Sequence, residues 1–174
     1  MSALNIALVG NPNCGKTALF NRLTGSRQKV ANYAGVTVER KEGLFRTPAG
    51  RSVRVLDLPG AYSLDATSPD EAITRAACHG ELPGEPVPDL LVCVADATNL
   101  RLHLRFVLEV RRLGKPMLLA LNQMDQARRR GITIDVDALQ ARLGIPVVET
   151  IAVKREGAAA LLARLDGAVP AAPE

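Results

Sequence analysis

Aromatic side chains are scarce in this sequence: it contains no tryptophan, and aromatic residues make up 3% of its 174 residues, although 47% are hydrophobic. A core of this composition must consist mainly of Val, Leu, Ile and Ala. Such residues are typical of a parallel sheet that helices cover on both faces. The length suits one domain with a sizeable core.

Cysteines are few and lack the spacing of a metal site. Cys14, Cys78 and Cys93 form no C-x-x-C pair, and a reduced, cytoplasmic chain accounts for them most simply. No apolar run approaches the roughly 18 residues that span a bilayer, and the N-terminus has no signal-peptide pattern. We therefore expect the chain as given to be soluble.

Acidic residues do not balance the basic ones, since 22 Lys and Arg stand against 18 Asp and Glu. The formal net charge is +4 and the pI is about 9.2. The densest basic cluster, Arg128-Arg129-Arg130, lies in a stretch that we predict to be a turn. Such charge is compatible with a solvated surface, with RNA or with an anionic membrane face.

The most informative stretch of the sequence is Gly10-Asn11-Pro12-Asn13-Cys14-Gly15-Lys16-Thr17. It lies between the apolar run Leu4 to Val9 and the helix-patterned run Ala18 to Leu23, and its G-x-x-x-x-G-K-[ST] spacing predicts a phosphate-binding loop. Glycine at both ends leaves room for backbone N–H groups to cradle phosphate oxygens. Lys16 can reach the β and γ phosphates, and the Thr17 hydroxyl can ligate Mg²⁺. We assign the whole loop and Ala18 to nucleotide binding.

A second motif is Asp57-Leu58-Pro59-Gly60, at the end of the predicted strand Val53 to Leu58. A carboxylate at the carboxyl end of a strand beside a phosphate loop can hold Mg²⁺ through water. The Gly60 N–H can meet a γ-phosphate oxygen. We therefore assign all four residues to the nucleotide site and Asp57 to the metal.

A third motif is Asn122-Gln123-Met124-Asp125, which directly follows the predicted strand Pro116 to Leu121. The carboxylate of Asp125 can accept two N–H bonds from the N1 and 2-amino edge of guanine. Adenine does not offer this pair of donors. The motif therefore predicts a preference for guanine nucleotides.

Apolar strands alternate with amphipathic helices along the chain, which predicts an α/β fold with a mostly parallel six-stranded sheet, one antiparallel hairpin strand and helices on both faces. The predicted strands are Leu4 to Val9, Val36 to Arg46, Val53 to Leu58, Leu90 to Ala95, Pro116 to Leu121 and Pro146 to Val153. The predicted helices are Ala18 to Leu23, Pro69 to Ala77, Leu100 to Leu113, Asp135 to Leu143 and Gly157 to Leu165. We expect Thr24 to Arg40 to be a loop.

These motifs resemble those of the TrmE-Era-like small GTPases, and within that class the cytoplasmic G domain of the FeoB ferrous-iron transporter family. The resemblance covers essentially the whole chain and implies the P-loop GTPase fold. Its narrower marks are Leu19-Phe20-Asn21, Asn32-Tyr33-Ala34-Gly35-Val36-Thr37-Val38-Glu39 and Asp57-Leu58-Pro59-Gly60-Ala61-Tyr62-Ser63-Leu64. It implies a G domain at 1–167, followed at 168–174 by a disordered tail or the start of the family's helical domain.

The resemblance implies a site for GTP or GDP with Mg²⁺. Thr37 is implied to be the switch I threonine, which reaches Mg²⁺ and the γ-phosphate in the GTP state, while Asp57 and Gly60 open switch II. Thr17 and Asp57 are the other implied Mg²⁺ ligands. Glu149-Thr150-Ile151-Ala152-Val153-Lys154 occupies the place of the last base-contacting loop. Within it, Ile151, Ala152 and Val153 are implied to contact the nucleotide, and the N–H of Ala152 or Val153 can meet guanine O6.

Two positions depart from the usual pattern. Gln123 stands where most small GTPases have a lysine whose alkyl stem stacks on the base, although FeoB-like proteins also usually lack that lysine. Ala152 stands where a serine is usual. We therefore expect weaker nucleotide binding and fast GDP release, without an exchange factor.

Hydrolysis rests mainly on positioning and charge neutralisation. Ala61 occupies the position of the water-orienting glutamine of many GTPases, so we expect a slow intrinsic rate. In related GTPases with a Gly-x-Pro-Asn loop, the residue matching Asn13 helps to hold K⁺ beside the phosphates; alternatively, Asn13 bonds only its own backbone.

Cys14 is either a small loop residue or a reactive thiol, since helix N-termini lower thiol pKa values. The expected catalytic residues are Asn13, Lys16, Thr37 and Gly60.

The resemblance implies a GTP-hydrolysing cytoplasmic domain of an inner-membrane ferrous-iron transport protein, whose switches couple nucleotide state to a transmembrane permease domain of the same full-length protein. It leaves homo-oligomer formation open and implies no nucleic-acid partner. Two other interpretations stand beside it: an RNA-associated assembly GTPase, which would use the basic surface, and a nucleotide-binding module with negligible turnover. The sequence offers no convincing iron site, since His79 and His103 are far apart.

Overall fold

The computed structural model describes residues 3–65 and 67–174, which form a seven-stranded sheet flanked by helices. The strands are β1 Leu4–Gly10, β2 Gln28–Asn32, β3 Glu39–Arg46, β4 Ser52–Asp57, β5 Leu90–Asp96, β6 Met117–Asn122 and β7 Val147–Thr150. The helices are α1 Lys16–Thr24, α2 Pro69–His79, α3 Leu100–Arg111, α4 Met124–Arg129, α5 Val136–Leu143 and α6 Ala159–Asp166. The strand order is β2-β3-β4-β1-β5-β6-β7. The predicted α/β class is confirmed.

The sheet has seven strands where six were predicted, because β2 lies in the segment that we expected to be a loop. β2 pairs antiparallel with β3, and β3 pairs antiparallel with β4, so that β3 runs against the direction of the others. Four of the five residues of β2 are exposed, and it lacks the apolar alternation that marks a strand in a sequence. The edge of β3 provides its partner, and Gln28 anchors it to α1 by donating to Thr24 Oγ1 at 2.9 Å.

The central strands divide their side chains between two core layers. On β1, Ala7 and Val9 face the layer beneath α3, whereas Ile6 and Leu8 face the layer beneath α1. Every residue of β6 is buried, as expected for a parallel strand that is covered on both faces. The core is therefore mainly aliphatic, as the composition predicted.

Capping residues set the ends of the predicted helices. Ser68 caps α2 by accepting the N–H of Glu71, and Gly80 ends this helix with a φ of 72°. Asp135 caps α5 by accepting the N–H of Ala138. Both helices lie close to their predicted bounds.

Helix α4 is absent from the prediction, which placed Arg128-Arg129-Arg130 in a turn. Six residues are too few to show a periodic apolar pattern. Arg128 and Arg129 form the last turn of this helix, where positive charge suits the helix dipole. The basic cluster is thus mostly helical.

No helix within the described ranges is both long enough and apolar enough to cross a membrane. Residues 168–174 contain no helix or strand. The division of the chain at residue 167, and the expectation of disorder or of a further helical domain beyond it, stay predictions.

Candidate functional site

The predicted phosphate loop joins β1 to the N-terminus of α1. Gly15 has a φ of 91°, and a Cβ there would lie 2.0 Å from Nδ2 of Asn122. A Cβ on Gly10 would lie 2.7 Å from both Cys14 Sγ and the carbonyl oxygen of Val94. Both glycines are therefore required for the loop to pack against the ends of β5 and β6, apart from any clearance that they give to phosphate.

Two cavities meet beside this loop. One, of about 340 Å³, is lined in part by Asn13, Lys16, Thr17 and Gly60. The other, of about 290 Å³, shares Lys16, Thr17 and Gly60 and adds Asp57. The structure thus brings the first two motifs together at the carboxyl edge of the parallel strands, where ligands of α/β sheets bind.

Lys16 and Asp57 form an ion pair across this edge, with Lys16 Nζ 2.5 Å from Asp57 Oδ1. Leu8 stands opposite Asp57 in the parallel register of β1 and β4, which places the end of β4 beside the loop. The two side chains are only 10% and 4% exposed. Because water solvates neither charge well, each side chain depends on a charged partner.

Asn122 links the base-recognition motif to two other segments. Its Oδ1 accepts Thr150 Oγ1 at 3.2 Å and the Ala152 N–H at 3.1 Å, and its Nδ2 donates to the carbonyl oxygen of Cys14 at 3.3 Å. The Ala152 N–H is thus engaged. Of the two N–H groups that were expected to meet guanine O6, the Val153 N–H is the one left available among the described hydrogen bonds.

Asp125 lies in the first turn of α4, after Gln123, whose φ of 66° is left-handed. Its Oδ1 is buried and has no hydrogen-bond partner among the described residues. Its Oδ2 lies 3.5 Å from Arg129 Nη2 and 3.6 Å from Lys154 Nζ. One oxygen of this carboxylate therefore lies near two basic groups, and the other is an acceptor without a donor among the described residues.

Several residues of the predicted nucleotide set have their side chains in the core. Cys14, Leu58 and Met124 are at most 3% exposed, which leaves their backbone groups to contact a ligand.

Thr37 is exposed and lines neither cavity. It lies in a turn that Tyr33 closes by donating its N–H to the Val38 carbonyl at 2.9 Å, so its switch I role stays a prediction.

The reactive-thiol interpretation of Cys14 is wrong. Burial raises the pKa of this thiol to about 11, although the N–H and the charge of Lys16 act in the opposite direction. The thiol is therefore protonated near neutral pH and packs as a small apolar side chain. Cys78 and Cys93 are likewise buried free thiols.

Two basic residues near the base-recognition motif had no predicted role. Arg22 of α1 donates from Nε to the Ala152 carbonyl at 3.1 Å and from Nη2 to the Val153 carbonyl at 3.2 Å. Lys154 contacts Asp125. Arg22 belongs to no motif, and Lys154 ends the predicted base-contacting stretch without a role of its own. Both contacts arise from the packing of segments that are distant in sequence.

A phosphate loop, a strand-terminal Asp with its glycine, and an Asn-x-x-Asp motif at one edge of a parallel sheet define this chain as a P-loop GTPase-type G domain. Within that class, the family described as ferrous iron transport protein B matches residues 4–165, and the chain belongs to it. The resemblance that the motifs indicated is thus confirmed.

The Fe(2+) transporter FeoB of Escherichia coli (strain K12) is 50% identical over 167 residues, which make up 95% of this chain and 21% of that protein. The cytosolic domain of T. maritima FeoB in its GMPPNP form is 45% identical with a TM-score of 0.82, and the match covers 94% of this chain and 61% of that one. The FeoB G domain from Methanococcus jannaschii is 42% identical with a TM-score of 0.80, and the match covers 95% and 97% of the two chains.

Proposed function

We propose that this chain binds guanine nucleotides, hydrolyses GTP to GDP and phosphate, and serves as the cytoplasmic nucleotide-dependent domain of an inner-membrane ferrous-iron transport protein. The unpaired, buried Oδ1 of Asp125 carries the proposal. Similarity to a FeoB domain in a GMPPNP form and to a protein named as an Fe(2+) transporter supports it.

Selection of guanine follows from two groups of this site, the carboxylate of Asp125 and the N–H of Val153. A buried acceptor without a donor is unfavourable, and a ligand that supplies the donor gains that free energy. Guanine offers N1–H and 2-amino donors to Asp125, whereas adenine has an acceptor at N1. The Val153 N–H is available for guanine O6, which adenine lacks.

The residues around Asp57 suit Mg²⁺. The Thr17 hydroxyl and the Asp57 carboxylate line one cavity, and hard oxygen donors of this kind are what Mg²⁺ prefers. We assign Thr17 and Asp57 as ligands, joined by Thr37 in the GTP state; the bound ion would neutralise charge on the β and γ phosphates. Lys16 would exchange its bond with Asp57 for phosphate oxygens.

No glutamine follows Gly60 to orient the attacking water, because residue 61 is alanine. Ala61 is 1% exposed, and its N–H donates to the Gly10 carbonyl at 3.1 Å, so its side chain does not orient water. Asn13 is exposed, has a φ of 65° and lines the cavity that also includes Gly60. We propose slow intrinsic hydrolysis. Asn13 would hold a K⁺ ion that would supply positive charge beside the phosphates, as an arginine finger does.

Helix α2 contacts both segments that nucleotide would rearrange. Tyr33 and Val38 of the switch I segment pack against Ile73 of α2. Thr74 of the same helix donates its hydroxyl to the Pro59 carbonyl at 2.9 Å. We propose that α2 transmits nucleotide state to the permease domain of the full-length protein; homo-oligomer formation is a further hypothesis.

Calorimetry with Mg²⁺ tests nucleotide binding, and we expect GDP and GMPPNP to bind and ADP not to bind. Phosphate release from GTP should be faster in KCl than in NaCl, and Asn13→Ala should remove that difference. A lack of binding at millimolar guanine nucleotide would refute the proposal, and equal rates in the two salts would refute the K⁺ site. Salt-sensitive RNA binding would instead favour the RNA-associated interpretation.

The transport role needs the full-length protein. In cells that depend on it for Fe²⁺ uptake, Lys16→Met should abolish uptake because it removes the main phosphate ligand. Undiminished uptake would contradict the coupling to iron transport, but it would not contradict the proposal that this domain hydrolyses GTP.

A further inference from the structure

Arg22 joins the helix that carries the phosphate loop to the loop 151–153. It lies in the last turn of α1, and its guanidinium donates through two nitrogens to the consecutive carbonyls of Ala152 and Val153, at 3.1 and 3.2 Å. Arg22 makes no ion pair with a carboxylate in the ranges that the structure describes. Its donors are therefore directed at the loop.

The loop depends on such bonds because its own side chains provide none. Residue 152 is alanine, and Val153 is 75% exposed. The Ala152 N–H is bound by Asn122, and the Ile151 N–H donates to the Gly157 carbonyl at 2.8 Å. No other hydrogen bond reaches the carbonyls of Ala152 or Val153 among the residues described.

The geometry of the peptide unit connects Arg22 to base recognition. The Ala152 carbonyl and the Val153 N–H belong to one peptide group, and no described peptide bond is cis. In a trans peptide these two groups point in opposite directions. By fixing the carbonyl on the side of α1, Arg22 fixes the Val153 N–H on the opposite side, and this N–H is the group available to guanine O6.

We infer that Arg22 is a positioning residue of the guanine site, which holds the Val153 N–H in its binding orientation and slows GDP release. The inference rests on the proposed guanine-nucleotide binding. An arginine suits the role because its planar fork spans two neighbouring carbonyls, whereas the single ammonium group of a lysine does not.

Stopped-flow release of a fluorescent GDP analogue from the purified chain tests the inference. We expect Arg22→Met to release it about three- to tenfold faster, as for the loss of an ordinary hydrogen bond. Arg22→Lys should keep the charge but recover little of the slow release. The matched control is Arg27→Met, since Arg27 is an exposed arginine just beyond α1, and it should release at the wild-type rate.

Comparing GDP release with GTP cleavage and with the fold distinguishes an effect on the orientation of the loop 151–153 from a general loss of stability. Release by Arg22→Met should accelerate by a larger factor than single-turnover GTP cleavage, and circular dichroism should show the wild-type fold. Wild-type release from Arg22→Met would overturn the inference, as would equal acceleration in Arg27→Met or full recovery in Arg22→Lys. Failure of the wild-type chain to bind GDP at all would instead refute the proposed function.

Discussion

Asn122 donates its side-chain amide to the carbonyl oxygen of Cys14 at 3.3 Å, and this bond ties the base-recognition motif to the phosphate loop. The other atom of the same carboxamide, Oδ1, accepts Thr150 Oγ1 and the Ala152 N–H. Asn122 is 1% exposed. One buried side chain therefore fixes the positions of the phosphate loop, the end of β7 and the loop 151–153 relative to one another.

Asn122→Ala should destabilise the nucleotide-free chain by about 1–3 kcal/mol, because it leaves buried polar groups without partners. It should also weaken GDP binding, since two loops of the site lose their common anchor. Urea unfolding and calorimetry measure the two effects. Thr150→Val removes one of the three bonds and should have a smaller effect on both; an equal effect would contradict the anchoring role of Asn122.

The sequence predicts best those parts of the site that a ligand constrains locally. The places of the phosphate loop and the Asp57 motif at the ends of β1 and β4 were predictable because such motifs fix residue type and spacing within a few positions. Their contacts with phosphate and metal stay predictions. The structure adds a second reason for Gly15, because Asn122 occupies the space that a Cβ would need.

Contacts made by packing were not predictable in this way. Arg22 and Ala152 are 130 positions apart, and their meeting depends on how α1 lies beside the end of β7. The strand β2 escaped prediction because most of its residues are exposed, and α4 because it has only six residues. Periodicity reports burial, and neither element carries a regular buried pattern.

Asp125→Asn should reduce GDP affinity by about ten- to hundred-fold, since a charge-assisted hydrogen bond contributes roughly 1.5–3 kcal/mol. It should at the same time favour xanthosine diphosphate, because an asparagine amide can donate to the 2-oxo group of xanthine. Competition calorimetry with both nucleotides measures the ratio. Asp137→Asn removes an exposed carboxylate of α5 and should leave the ratio unchanged; a parallel loss of both nucleotides in Asp125→Asn would refute base recognition by this residue.

Lys16→Met should abolish measurable GDP binding and destabilise the nucleotide-free chain by about 3–5 kcal/mol, because Asp57 is left buried without its partner. The double variant Lys16→Met/Asp57→Asn should unfold at higher urea concentration than Lys16→Met, since the unpaired charge is gone. Nucleotide binding should stay lost in both. If the second substitution adds further destabilisation instead, the ion pair does not determine the stability of this edge of the sheet.

Glu42 gives the domain a stability that depends on pH. Hydrogen bonds from Arg54 and Arg40 hold the pKa of Glu42 at about 2, below its ordinary value of 4.5. Because the folded state favours the ionised form, this stabilisation is complete above about pH 5 and is lost as the pH falls toward about 2. Glu42→Gln should therefore lower the free energy of unfolding at pH 7 by about 1 kcal/mol, and its difference from wild type should shrink on acidification. Urea unfolding across this range measures the difference. Glu39→Gln is the control, because Glu39 is more exposed and its one ion pair among the described residues is with Lys41, at 3.5 Å. A pH-independent difference would contradict the role of the ion pairs that Glu42 forms with Arg54 and Arg40.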